Sequence, residues 1–203
     1  MIKKILTHSN KIIFSILFVF IIACQTNTKT MLVSNKSFED NLKSHSKYDD
    51  RYLDFFNGNI FVESIYLSEQ LTESYNQYVK DNNLNHENYY LPVNHNSNKM
   101  IFLVSFTAPK KDWTNLSEKD SIWNIVLKLG NKEITPSKRT IIKKNNDRIN
   151  TFFTHQNSFS KIYLLEFDVE ENINSDYLVV VKNVELSFFS NVKNLKILWE
   201  FAK

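Results

Sequence analysis

The side chains that could do chemistry are few: five histidines, a single cysteine and 22 carboxylates. His8 lies in a leader-like segment, which leaves His45, His86, His95 and His155 as candidate general bases. His86-Glu87 opens the helical His-Glu-x-x-His spacing that binds zinc and activates a water, but Tyr90 stands where the second histidine belongs. His95 follows nine residues after His86, without helical spacing. His86, Glu87 and His95 have the right donor chemistry for zinc, yet loop residues facing water account for the same letters, so no metal is expected. Asp81-Asn82-Asn83-Leu84-Asn85 begins as a calcium loop does. Its sixth position holds His86 instead of the turn glycine, and its twelfth holds Pro92 instead of a bidentate glutamate. The carboxylate pairs Asp49-Asp50 and Glu170-Glu171 are adjacent in sequence. Adjacent side chains point apart on a strand and lie about 100° apart on a helix, so neither pair presents two facing carboxyls. Only two glycines are present, neither in a G-x-S-x-G turn, and a glycine-rich phosphate loop is excluded. The expectation is a protein without catalysis and without a cofactor. A hydrolase centred on His86 or His95 is the alternative to be tested.

The cysteine is better placed than any histidine. Lys3, Lys4 and Lys11 precede Ile12–Ala23, an uncharged stretch of twelve residues containing one polar side chain, Ser15. As a helix it would be about 18 Å long, short of a hydrocarbon core of about 30 Å. Its length and its basic flank fit a signal-peptide core. The stretch ends Ile21-Ile22-Ala23-Cys24. This resembles the lipobox of bacterial lipoproteins, with Ile21 where leucine is commonest and Ile22 bulkier than usual. The resemblance covers residues 1–24. It implies cleavage between Ala23 and Cys24, diacylglyceryl modification of the Cys24 thiol and acylation of the new amine. Two or three acyl chains meet the multiple-signal requirement for stable anchoring, at about 0.8 kcal/mol per buried methylene. The anchored partner is thus a bacterial membrane. Gln25, where an aspartate often retains lipoproteins at the inner membrane, points to the outer membrane or cell surface.

Cleavage changes the charge argument. The formal net charge is +3, from 25 basic and 22 acidic residues, and residues 1–23 carry three lysines and no acid. Their removal leaves 22 against 22. A near-neutral chain has no general attraction for nucleic acid, and none is expected as a partner. A lone cysteine also excludes an intrachain disulfide.

The elements that would position a site follow from periodicity. Residues 24–36 are polar and small, as a tether would be. Residues 37–56 carry a helical pattern: Ser37 with Asp40 suggests a loose helix cap for the earlier half, and a helix is expected near 48–56, ended by Asn57-Gly58. Asn59–Leu67 reads as a strand. Ser68 then caps a helix over 69–81, in which Leu71, Tyr75, Tyr78 and Val79 recur at three- and four-residue spacing. Residues 82–98, dense in Asn and His, read as a surface loop. From residue 99 the period becomes two. Strands are expected at 100–106, apolar on nearly both faces and therefore central, and at 123–129, 139–143, 163–169, 177–181, 184–188 and 195–201. Gly130-Asn131 is a turn signal.

Seven short strands without helical crossovers predict a mainly β chain, an antiparallel β-sandwich, with immunoglobulin-like topology the first choice and an N-terminal helical segment packed on it. The expected division is a signal peptide (1–23), a lipidated cysteine and tether (24–36), a helix-containing segment and loop (37–98) and the sandwich (99–203). Trp123 is the candidate core tryptophan. Tyr89, Tyr90 and Trp113, aromatics in polar segments, are the candidate contacts for a protein or glycan partner. The functional expectation is a lipid-anchored envelope protein acting as a binding or structural module. An accessory subunit of an envelope complex or transporter would carry the same sequence signature.

Overall fold

The computed structural model describes residues 36–52, 59–84, 91, 93, 98–117, 120–142, 152–153, 159–170, 178 and 180–201. Helix α1 (Lys36–His45) leads directly into β1 (Ser46–Tyr52). Then come β2 (Asn59–Tyr66), α2 (Glu69–Asp81), β3 (Lys99–Thr107) and a short 3-10 turn (Lys111–Thr114). Strands β4 (Asn124–Leu129), β5 (Lys132–Ile134), β6 (Lys138–Ile142), β7 (Ser160–Asp168), β8 (Asn183–Phe189) and β9 (Asn194–Glu200) complete the described elements.

The strands form two sheets, ordered β1-β2-β3-β7-β6 and β5-β4-β8-β9, with every pairing antiparallel. Taken from β2 onward, this is the strand order of an immunoglobulin-like sandwich: A-B-E-D in one sheet and C′-C-F-G in the other. The expected topology is therefore present, with β1 added outside the first strand. Strands β1 and β2 belong to the same sheet as β3, so the sandwich extends N-terminally of residue 99.

Alternation explains the packing. Ile125, Leu127 and Leu129 of β4 face inward with Leu186 and Phe188 of β8 and Ile197 and Trp199 of β9. They meet Phe102, Val104 and Phe106 of β3 and Tyr163, Leu165 and Phe167 of β7. Trp123, just before β4, is 2% exposed and stacks edge-on to Phe106 at 5.2 Å. Its indole N–H donates to the Trp113 carbonyl at 2.7 Å. The opposite side chains of β3 and β7 (Ile101, Leu103, Ile162 and Leu164) are buried as well. They carry a second core under α1 and α2, built from Phe38, Leu71, Tyr75, Tyr78 and Val79. The molecule is thus layered helix, sheet, sheet. The expectation that β3 is central and apolar on both faces holds because it lies between the two cores.

Helix α2 occupies the predicted residues, and Leu71 N–H donates to Ser68 Oγ at 3.1 Å. The N-terminal expectations need correction. The helix lies at 36–45, the earlier half of the segment read as helical, with Ser37 inside it; 46–52 is a strand paired along β2 from Ser46↔Ile65 to Tyr52↔Asn59, and 53–56 lie outside the described residues. The segment SKYDDRY has no apolar alternation. The edge of β2 recruits it through backbone bonds, a tertiary contact overriding local preference. Of the strand expected at 177–181, the described residues Leu178, Val180 and Val181 are helical instead, and Lys182 N–H closes the turn on the Leu178 carbonyl at 2.8 Å. The chain must pass from one sheet to the other between β7 and β8, and this apolar run makes the passage, with Leu178 buried and Val180 exposed. The short strand β5 takes its place in the count. Gly130, at φ +58° in the two-residue turn to β5, adopts the left-handed backbone that its lack of a Cβ permits. The 82–98 segment is not wholly surface, since Leu91 and Val93 are buried in the helix-side core.

Candidate functional site

The two outer faces of the sandwich differ. Helices cover that of the five-stranded sheet. That of the four-stranded sheet carries Asn124, Val126 and Lys128 of β4, Glu185, Ser187 and Phe189 of β8, and Lys196 and Leu198 of β9. Its charges are paired across neighbouring strands: Lys128 with Glu133 of β5 at 2.7 Å and Lys196 with Glu185 at 3.2 Å, where Ser187 Oγ also donates to Glu185 at 2.7 Å. Burial pushes the Glu185 carboxyl up, but Ser187 and the lysines more than offset this and hold it below the usual range.

At one end of this face the ladder gives way to a cleft of about 420 Å³, lined by Ile122, Asn124, Phe189, Ser190 and Asn191. Asn124 and Phe189 are direct cross-strand partners, so their side chains stand on the same side. Ser190 builds the turn that closes β8 on β9. Its hydroxyl donates to the Lys193 carbonyl at 3.1 Å and accepts from Val192 and Lys193 N–H, each at 3.1 Å. Asn191 sits exposed at the tip. The cleft therefore presents a half-buried aromatic ring, an aliphatic side chain and two solvent-facing amides.

A second cluster sits where α1, α2 and β9 meet. His45 Nδ1 lies 2.7 Å from the Asn41 carbonyl, which can only accept, so that nitrogen carries the proton. Nε2 then accepts from Ser68 Oγ at 2.9 Å, while Ser68 Oγ accepts from Leu71 N–H. The carbonyl of His45 accepts the Trp199 indole N–H at 2.9 Å. The imidazole stacks on Tyr66 at 6.0 Å. Burial holds the imidazole below its ordinary value, only partly countered by the Asn41 bond, and pushes Tyr66 up to about 12. This has the hydrogen-bond direction of a serine–histidine pair. Ser68 Oγ, however, already caps a helix, and the proton on Nδ1 is held by a carbonyl rather than a carboxylate. The cluster works as a clamp between elements.

No protein-family model, curated protein or solved structure gives a significant match to this chain.

The residues singled out in the sequence distribute unevenly over this structure. Trp113 lies in the 3-10 turn that follows β3. It is half-buried against the sandwich core, with Lys110 Nζ 4.7 Å from its ring centroid. Ala23, Cys24, Tyr89, Tyr90, His86, Glu87, His95 and His155 lie outside the described residues. Among the described residues, no group of three His, Cys, Asp or Glu is arranged to hold a metal ion, and no helix is long and apolar enough to cross a membrane. Phe189, Asn124 and Asn191 were not legible as a cleft. Alternation puts Phe188 inward and Phe189 outward, but only the β4–β8 register sets Asn124 beside that ring. His45 was visible only as one more candidate base, because its partner Ser68 lies 23 residues away.

Proposed function

We propose that this chain is a lipid-anchored lipoprotein of the bacterial envelope whose sandwich is a non-catalytic binding module. The observation that carries the anchoring is the position of Cys24, the chain's only cysteine, directly after the uncharged Ile12–Ala23 stretch. The layering supports the second half of the reading. One outer face is occupied by the chain's own helices, and the other, among the described residues, carries no helix and ends in a cleft. The serine–histidine pair supplies no support for a hydrolase, since its hydrogen-bonding capacity is used within the fold.

Labelled palmitate should be incorporated into the protein in growing bacterial cells. Cys24→Ala should abolish incorporation and accumulate a heavier, uncleaved precursor. A Cys24→Ala protein that still takes up label, or a mature protein whose first residue is not a modified Cys24, would refute the anchoring.

A further inference from the structure

We propose that the cleft formed by Ile122, Asn124, Phe189, Ser190 and Asn191 binds a neutral saccharide, one sugar ring lying against Phe189 while Asn124 and Asn191 hydrogen-bond its hydroxyls. This rests on the binding-module reading and names its ligand class. A sugar ring has a face of C–H groups and a rim of hydroxyls. An aromatic face carries negative electrostatic potential and a large apolar surface. Phe189, flanked by Ile122, offers that platform half out of water.

The rim needs groups that both donate and accept, as each hydroxyl does. An amide side chain has both functions, and Asn124 and Asn191 bring two of them to the edge of the ring. The described residues lining the cleft include no ionisable side chain, so nothing in them selects a charged ligand. The lysines and glutamates further along the same face are matched with one another.

Rigidity favours binding as well. Ser190 spends its hydroxyl inside the β8–β9 turn, which fixes the backbone that carries Asn191 and lowers part of the ordering cost. The depression is open rather than enclosing, so a sugar ring would rest on it by one face. A protein partner would want tryptophan, tyrosine or arginine at the centre of its footprint, and none of these lines the cleft among the described residues.

The test uses the mature protein purified from membranes in detergent micelles. It is titrated with cellohexaose, maltohexaose and chitohexaose by calorimetry and ligand-observed NMR. At least one oligosaccharide should bind saturably, and Asn191→Ala and Phe189→Ala should each weaken it about tenfold or more. Leu198→Ala, on the same face beyond the cleft, should bind as the parent does. Asn191 is exposed at a turn tip, so its variant keeps the fold even where Phe189→Ala disturbs it. The inference is overturned if none of the three sugars saturates, if Asn191→Ala binds as tightly as the parent, or if a peptide library yields the ligand and the sugars do not. Palmitate labelling of the same preparation separates the two readings. Labelled protein that binds no sugar sinks the saccharide site alone, and unlabelled protein that binds sugar sinks the anchor alone.

Discussion

His45 ties three elements together with one ring and one carbonyl, and its protonation state follows from that position. The folded imidazole titrates below 6.5 because burial disfavours the charged form. Between the folded value and about 6.5 the unfolded chain binds more protons than the folded one, so stability must fall as the pH is lowered through that window and level off below it. Urea unfolding at about pH 7.5 and about pH 5.5 should show a larger loss for the parent than for His45→Gln. Equal losses would assign the titration elsewhere. A separate acid limb belongs to Glu166. Burial raises its carboxyl, but Lys138 and Lys99, each 3.1 Å away, bring it net below 4.5, and its contribution is lost as pH falls through that lower value. Tyr163 makes the other single-residue case. Its hydroxyl donates to the Thr114 carbonyl at 2.8 Å and accepts Leu116 N–H at 3.2 Å, both in buried surroundings. Tyr163→Phe strands both backbone groups and should cost about 1–3 kcal/mol, read from the urea midpoint. A loss below about 0.5 kcal/mol would mean that water replaces the hydroxyl.

At the level of the element, legibility followed the number of faces each segment buries. Helix α2 could be placed from Ser68 to Asp81 because a cap and an apolar stripe coincide there. Strands β4, β8 and β9 could be placed because one face is apolar and the other polar. Segment 46–52 could not, since a strand held by backbone pairing at a sheet edge leaves no side-chain period. Leu178, Val180 and Val181, helical where a strand is expected, show the opposite case. Leucine and valine fit a strand locally, and only the passage between sheets decides otherwise. Trp123 tests the inward face of β4. Trp123→Ala removes a buried ring and the donor to the Trp113 carbonyl and should destabilise by about 3–5 kcal/mol, whereas Trp123→Phe should recover much of the packing without the hydrogen bond. If Trp123→Ala cost below about 1 kcal/mol, the inward assignment would be untenable.

For the whole molecule, a β-sandwich with helices packed on it was foreseeable from the short segments of period two, but its strand list was not: β2 lies inside the sandwich, β5 joins it and 178–181 contributes no described strand residue. The sequence shows a helix between the first two strands of the immunoglobulin-like order. It does not show that this insertion lies flat on the five-stranded sheet and gives β3 and β7 a second core. Nor does it show which outer face the helices take. That depends on where α1 and α2 settle, through contacts such as Phe38 against Tyr78 at 5.1 Å and against Phe152 at 5.9 Å, far apart along the chain.

The indole of Trp199 closes on the carbonyl of His45 across 154 residues. Since β9 is also the last of these strands to be synthesised, an emerging polypeptide holds its opening helix with no indole to fasten it until nearly all of the domain is out. Fastening this late raises contact order and slows folding. If the chain is exported as proposed above, that delay would leave the polypeptide unlatched while it crosses the membrane.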